Sequence, residues 1–131
     1  MTAPTAPVPG NALRIYSYAA CSTCRKALKW LQEQGIAHEV VDITSSPPSL
    51  AELRQALASL GDRQRLFNTS GLSYRALGAA TVRSLSDDEA LSALAADGKL
   101  IKRPFVLTSN GGALTGFDPQ RWQEAFHSPV A

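Results

Sequence analysis

The chain has 131 residues, a size that folds as one domain around an ordinary core without staples. Its 44% hydrophobic and 18% charged content are globular values, and a net charge of +2 gives no argument for direct nucleic-acid binding. No apolar run approaches the roughly 18 residues of a membrane-spanning helix.

Residues 1–11 are rich in Pro and Ala and lack the basic start and apolar stretch of a secretory leader. The expectation is a disordered tail before a single domain over 12–131. Leu13, Ile15 and their neighbours read as a first strand over 13–17. A helix follows over about 23–34, with Ala27, Leu28 and Leu31 on one face and Gly35 as its stop. His38 to Ile43 reads as a second strand. Ser49 and Glu52 have capping-box spacing, which starts a helix running to about Leu60.

The stretch from Asp62 to Asp97 reads as short helices and turns. One helix is expected over 73–77, and another begins at Ser86 with Asp87, Asp88 and Glu89 in its first turn. Residues 101–108 return to strand. Asn110, Gly111 and Gly112 make a hairpin turn, and 113–115 is the partner strand. Asp118 and Pro119 cap a last helix reaching about His127. The order is βαβ, then helices, then ββα. The first unit requires a right-handed crossover and parallel pairing. The fold class is therefore α/β, a thioredoxin-like fold with a mixed sheet of about four strands and a helical insertion at about 49–98.

The chain has two cysteines, Cys21 and Cys24, in a C-x-x-C between the first strand and its helix. That junction is the setting of a thioredoxin-like redox pair. A cysteine at a helix N-terminus faces unpaired N–H groups and the positive end of the helix dipole, so its thiolate is stabilised. Arg25 and Lys26 add positive charge. Thiol–disulfide exchange, with Cys21 attacking and Cys24 resolving, is the functional reading. Half a zinc site and two inert buried thiols are the alternatives. Zinc needs four ligands, and His38 and His127 lie in unrelated segments without ligand spacing. Ser22 and Thr23 are placed to donate to the thiolate or simply to cap the helix. Two cysteines without a leader point to a reducing cytoplasm.

The run Cys21-Ser22-Thr23-Cys24-Arg25-Lys26-Ala27, followed by Trp30-Leu31, resembles the ArsC/Spx/YffB family. Leu66 to Leu77, Ile101-Lys102-Arg103-Pro104 and Gly116-Phe117 add to the resemblance, which spans about Leu13 to Phe126 and is closest in pattern to YffB-like and Spx-like members. It implies that Cys21 is the nucleophile, that Pro104 is cis beside it, and that Arg103 binds an oxyanion or holds the thiolate. Arsenate reductases of this family use three arginines. The insertion arginine corresponds to Arg63 or Arg65, the second to Arg103, and the third position falls near 114–117, where there is none.

The resemblance thus implies a thiol-dependent oxidoreductase acting on a small thiol adduct, a protein disulfide or an oxyanion that forms a thiolate ester; a monomer is the default expectation. No bound cofactor is implied. One internal disulfide needs an external thiol to reset it, and glutathione is the expected co-substrate. The alternative is an Spx-type redox-sensing regulator that binds RNA polymerase and uses Cys21 and Cys24 as a switch.

Overall fold

A computed structural model describes residues 13–108 and 110–127, so the expected tail over 1–11 lies outside the described residues. Four strands form one mixed sheet in the order β2-β1-β3-β4. They are β1 (Leu13–Ser17), β2 (His38–Asp42), β3 (Phe105–Leu107) and β4 (Ala113–Thr115). β1 pairs in parallel with β2 and antiparallel with β3, which closes a hairpin with β4. The helices are α1 (Ser22–Glu33), α2 (Leu50–Leu60), α3 (Leu72–Leu77), α4 (Ala79–Ser84), α5 (Asp87–Ala96) and α6 (Pro119–His127). The α/β, thioredoxin-like order expected from the sequence is present.

Strand periodicity assigns the two faces of the sheet. Leu13, Ile15 and Val106 point to one side, where Ala27 and Leu31 of α1 and Trp122 of α6 cover them. Tyr16, Phe105 and Leu107 point to the other, against Leu53 and Ala56 of α2 and Leu91 and Leu94 of α5. β1 and β3 are covered on both sides, and so every β3 residue is buried. β2 is one of the two edge strands and leaves Val40 53% exposed.

Local chemistry starts the helices where the sequence indicates. Ser49 accepts from the Glu52 N–H at 3.1 Å, and the Glu52 carboxylate accepts from the Ser49 N–H at 2.9 Å. Ser86 and Glu89 repeat this capping box at α5. Asp118 accepts from the Gln120 N–H at 3.0 Å and opens α6.

One expectation is corrected. The strand expected over 101–108 is shortened to Phe105–Leu107. Lys102 N–H donates instead to the Leu66 carbonyl at 2.8 Å, and Asn68 N–H donates to the Leu100 carbonyl at 2.9 Å. Ile101 thus bridges Phe67 in the insertion. Pro104 has no N–H to continue a ladder.

Glu52 does more than cap. Its carboxylate also accepts from the Tyr16 hydroxyl at 2.8 Å and from Arg14 at 2.9 Å, tying α2 to the sheet. Burial pushes this carboxyl up, but the Ser49, Tyr16 and Arg14 interactions outweigh it and hold the acid below its ordinary range. A depressed carboxyl stabilises the fold above the unfolded pKa and loses that contribution as pH falls through the folded one. Glu52→Ala leaves the half-buried Tyr16 hydroxyl without its acceptor. The expected loss is about 1–3 kcal/mol at neutral pH in urea melts. The difference from wild type should shrink in acid, below the ordinary Glu pKa of about 4.3.

Candidate active site

Cys21 is the N-cap of α1. Its backbone is extended, with φ −92° and ψ 115°, and its Sγ accepts from the Cys24 N–H at 3.3 Å. The sulfur therefore occupies the place an N-cap oxygen usually fills, at the positive end of a three-turn helix. Burial pushes the half-buried Cys21 thiol up. Hydrogen bonds from the Cys24 thiol and N–H, and then from the Arg103 guanidinium with its charge, outweigh it and hold Cys21 below the ordinary thiol value.

Cys24 is fully buried. Burial and the neighbouring Cys21 push its thiol up to about 11, against weaker opposing hydrogen bonds to the Tyr18 backbone and the Ser17 side chain. One helical turn thus separates an acidified thiol at the surface from a protonated one beneath it. Both are free thiols in this structure. The chemical expectation is single-site alkylation. At neutral pH one equivalent of iodoacetamide should react with Cys21, with Cys24 unmodified until the protein unfolds. Peptide mass mapping checks this.

The Arg103–Pro104 peptide is cis, as the resemblance implied. Pro104 is buried, and its carbonyl accepts from the Gly116 N–H at 2.9 Å. Arg103 lies with its guanidinium carbon 4.9 Å from the centre of the Tyr18 ring. That stacking is worth about 0.5–1 kcal/mol and restricts a flexible side chain beside the sulfur. Sequence reasoning missed Tyr18. The available signal was an aromatic residue three positions before the nucleophile, on the loop that ends β1.

Replacing Arg103 with Met removes a charge-assisted hydrogen bond to the thiolate. The Cys21 titration should move upward, with about tenfold less thiolate at neutral pH. Tyr18→Leu should move it the same way by less, and Tyr18→Phe should leave it in place because the ring face is kept. Ultraviolet absorbance of the thiolate across pH measures all three variants.

Cys21 and Arg103 open onto a cleft of about 590 Å³. Cys21, Thr23 and Arg103 line it together with Asn68, Ser70, Lys102, Thr115, Gly116, Phe117, Asp118 and Arg121. Gly116 has φ +71°, and a Cβ there would stand 3.1 Å from the Lys102 Cε, so the lysine stem lies across this glycine. Phe117 and Trp122 meet edge to face at 4.9 Å, and Trp30 stands edge-on to both, which fixes the floor on which α6 rests.

Of the residues named from the sequence, Cys24 and Pro104 are buried and do not line the cleft, and Ser22, Arg63 and Arg65 are not brought to it. Ser22 is exposed at the first position of α1 and is not among the lining residues. Arg63 is turned into the insertion, where it donates to Asp87 at 3.1 Å and to the Val82 and Arg83 carbonyls at 3.1 Å. It braces the 3₁₀ turn Arg63–Leu66 against the end of α4 and the start of α5. Arg65 is exposed on the same turn and also lies away from the cleft lining.

The likeness to known proteins follows the same segments. The ArsC family description matches residues 16–125, from β1 to α6. The uncharacterized protein YusI of Bacillus subtilis is 44% identical over 115 residues, covering 86% of this chain and 96% of that one. An arsenate reductase of Neisseria meningitidis is 36% identical over 106 residues, covering 79% and 89%. The crystal structure of a possible arsenate reductase from Streptococcus mutans superposes with a TM-score of 0.76 at 40% identity, covering 82% and 92%. With the end of β1, the Cys21 turn, the insertion, the cis Arg103–Pro104 step and most of α6 inside the matched span, the chain belongs to the ArsC family.

Proposed function

We propose that this protein is a thiol-dependent reductase in which Cys21 attacks and Cys24 resolves, with glutathione as the electron donor in a reducing cytoplasm. The observation that carries the reading is the Cys21 sulfur at the N-terminus of α1, 3.3 Å from the Cys24 nitrogen and beside Arg103. The Cys21 thiolate attacks one sulfur of a disulfide R–S–S–R′. A new bond to Cys21 forms, the old one breaks, and R′–S⁻ leaves. Cys21 then no longer carries a charge that opposes ionisation of Cys24. Cys24 passes its proton to the released R′–S⁻ or to water, attacks the Cys21 sulfur and expels R–S⁻. Two glutathione thiols return the resulting disulfide to two thiols and leave as glutathione disulfide.

Arsenate has less support as the substrate. Arg103 is beside the sulfur, but Arg63 is engaged with Asp87 and two carbonyls elsewhere. The cleft of about 590 Å³ is larger than a tetrahedral oxyanion needs, which favours a disulfide as substrate.

The test is turnover of hydroxyethyl disulfide with glutathione, coupled to glutathione reductase. Many turnovers per protein are expected. In Cys24→Ser the mixed disulfide on Cys21 should accumulate and be visible by mass. A protein that takes up one oxidising equivalent and then holds a stable Cys21–Cys24 disulfide against glutathione contradicts the enzyme and favours a redox-sensing regulator.

A further inference from the structure

We infer that Lys102 and Arg121 form a carboxylate-binding subsite, which selects anionic peptide thiols and their disulfides over neutral ones at Cys21. The inference rests on the thiol reductase reading above and adds the residues that choose the substrate.

Size gives the first argument. A tetrahedral oxyanion fills the space of a few waters, each about 30 Å³ in the liquid. The cleft of about 590 Å³ is several times larger and falls in the range of sites for small organic ligands. Charge gives the second. Its lining carries three cations, Lys102, Arg103 and Arg121, against one acid, Asp118. Arg103 is accounted for by Tyr18 and the Cys21 sulfur. Among the described residues, Lys102 and Arg121 make no ion pair with any carboxylate.

Placement gives the third. Lys102 precedes Arg103 in the chain and lies across Gly116. Arg121 comes from α6, one residue before the buried Trp122. The two cations therefore come from separate segments of the chain and line, with Cys21, Gly116, Phe117 and Asp118, the same cleft. Asp118 already accepts from the Gln120 N–H through one oxygen, and its other oxygen is available to an ammonium group. Two cations and one carboxylate complement a peptide thiol with two carboxylates and one ammonium. Arg121 also gives the cleft a guanidinium where the hairpin itself carries none over 114–117.

The experiment measures mixed-disulfide formation on Cys21 in a Cys24→Ser background by mass spectrometry at low ionic strength. The probes are glutathione disulfide (net anionic), hydroxyethyl disulfide (neutral) and cystamine (cationic). Glutathione disulfide should react fastest and cystamine slowest, relative to their rates with a free small thiol. In Lys102→Met/Arg121→Gln the ratio of anionic to neutral rates should fall about tenfold, while Lys102→Arg/Arg121→Lys should restore most of it. Added salt should compress the wild-type ratio. A ratio that neither substitution nor salt changes overturns the subsite while leaving the reductase intact. Failure of Cys21 to react with all three probes overturns the reductase reading, and the subsite with it.

Discussion

Cys21→Ser is expected to lower disulfide reductase activity by about 10⁴-fold or more while the fold survives. The size of the effect follows from chemistry. Thiolate is the attacking species, and a hydroxyl in the same place is not ionised at neutral pH and forms no disulfide. The survival of the fold follows from local structure. Cys21 serves α1 as its N-cap, accepting from the Cys24 N–H at 3.3 Å. Serine is among the best N-cap residues, so α1 should keep its start. The variant therefore separates catalysis from stability. Circular dichroism and urea midpoints should match wild type within about 0.5 kcal/mol, and steady-state turnover should be at background. Residual turnover within tenfold of wild type would place the nucleophile elsewhere.

The largest effect on stability is expected at Gly98, which is not among the residues lining the cleft. Gly98 is buried at the start of the 3₁₀ turn Gly98–Leu100 that follows α5. A Cβ built there would stand 1.9 Å from the Ile43 carbonyl oxygen and 2.8 Å from the Ile43 carbonyl carbon. Both are backbone atoms at the end of the central βαβ unit, so no side-chain rotation relieves the overlap. The insertion and the sheet must move apart, and the shift is transmitted to Leu100 and Ile101, both buried in the same core. Gly98→Ala should cost about 3 kcal/mol or more. For a chain of this length that lowers Tm by on the order of 10 °C. Differential scanning calorimetry checks it, and an unchanged Tm would mean that the approach of Gly98 to Ile43 is not a feature of the folded protein.

What was legible in the sequence was written in neighbours. Cys21 and Cys24 lie one turn apart at a strand-to-helix junction, and both the cap and the pair follow from that spacing. Ser49 with Glu52 and Ser86 with Glu89 mark helix starts through bonds between residues three apart, and Asp118 before Pro119 marks another, where Asp118 accepts from the Gln120 N–H. The alternation in β1 and β3 follows from period two, and the fold order follows from these elements.

What was not legible depends on residues distant in the chain. Ile101 and Lys102 have strand composition, but their partners are 66–68 in the insertion and not the central sheet. Arg63 reads as a free loop charge until Asp87 and two carbonyls of α4 are brought to it. The cations of the cleft show the same limit. Lys102 stands next to Arg103, but Arg121 lies in the last helix, 18 positions on, and nothing in the spacing links the two. Only the fold brings them to one cleft. Tyr18 gains its role because the loop after β1 passes under Arg103.

The central claim is that the fold makes the Cys21 sulfur acidic and reachable. Its most direct test is the rate of iodoacetamide alkylation of Cys21 against pH in a Cys24→Ser background, alone and with Arg103→Met. The account predicts a single titration with its midpoint below the free-cysteine value of about 8.5, moved upward when Arg103 is removed. A midpoint at or above that value, unchanged by Arg103→Met, would contradict it.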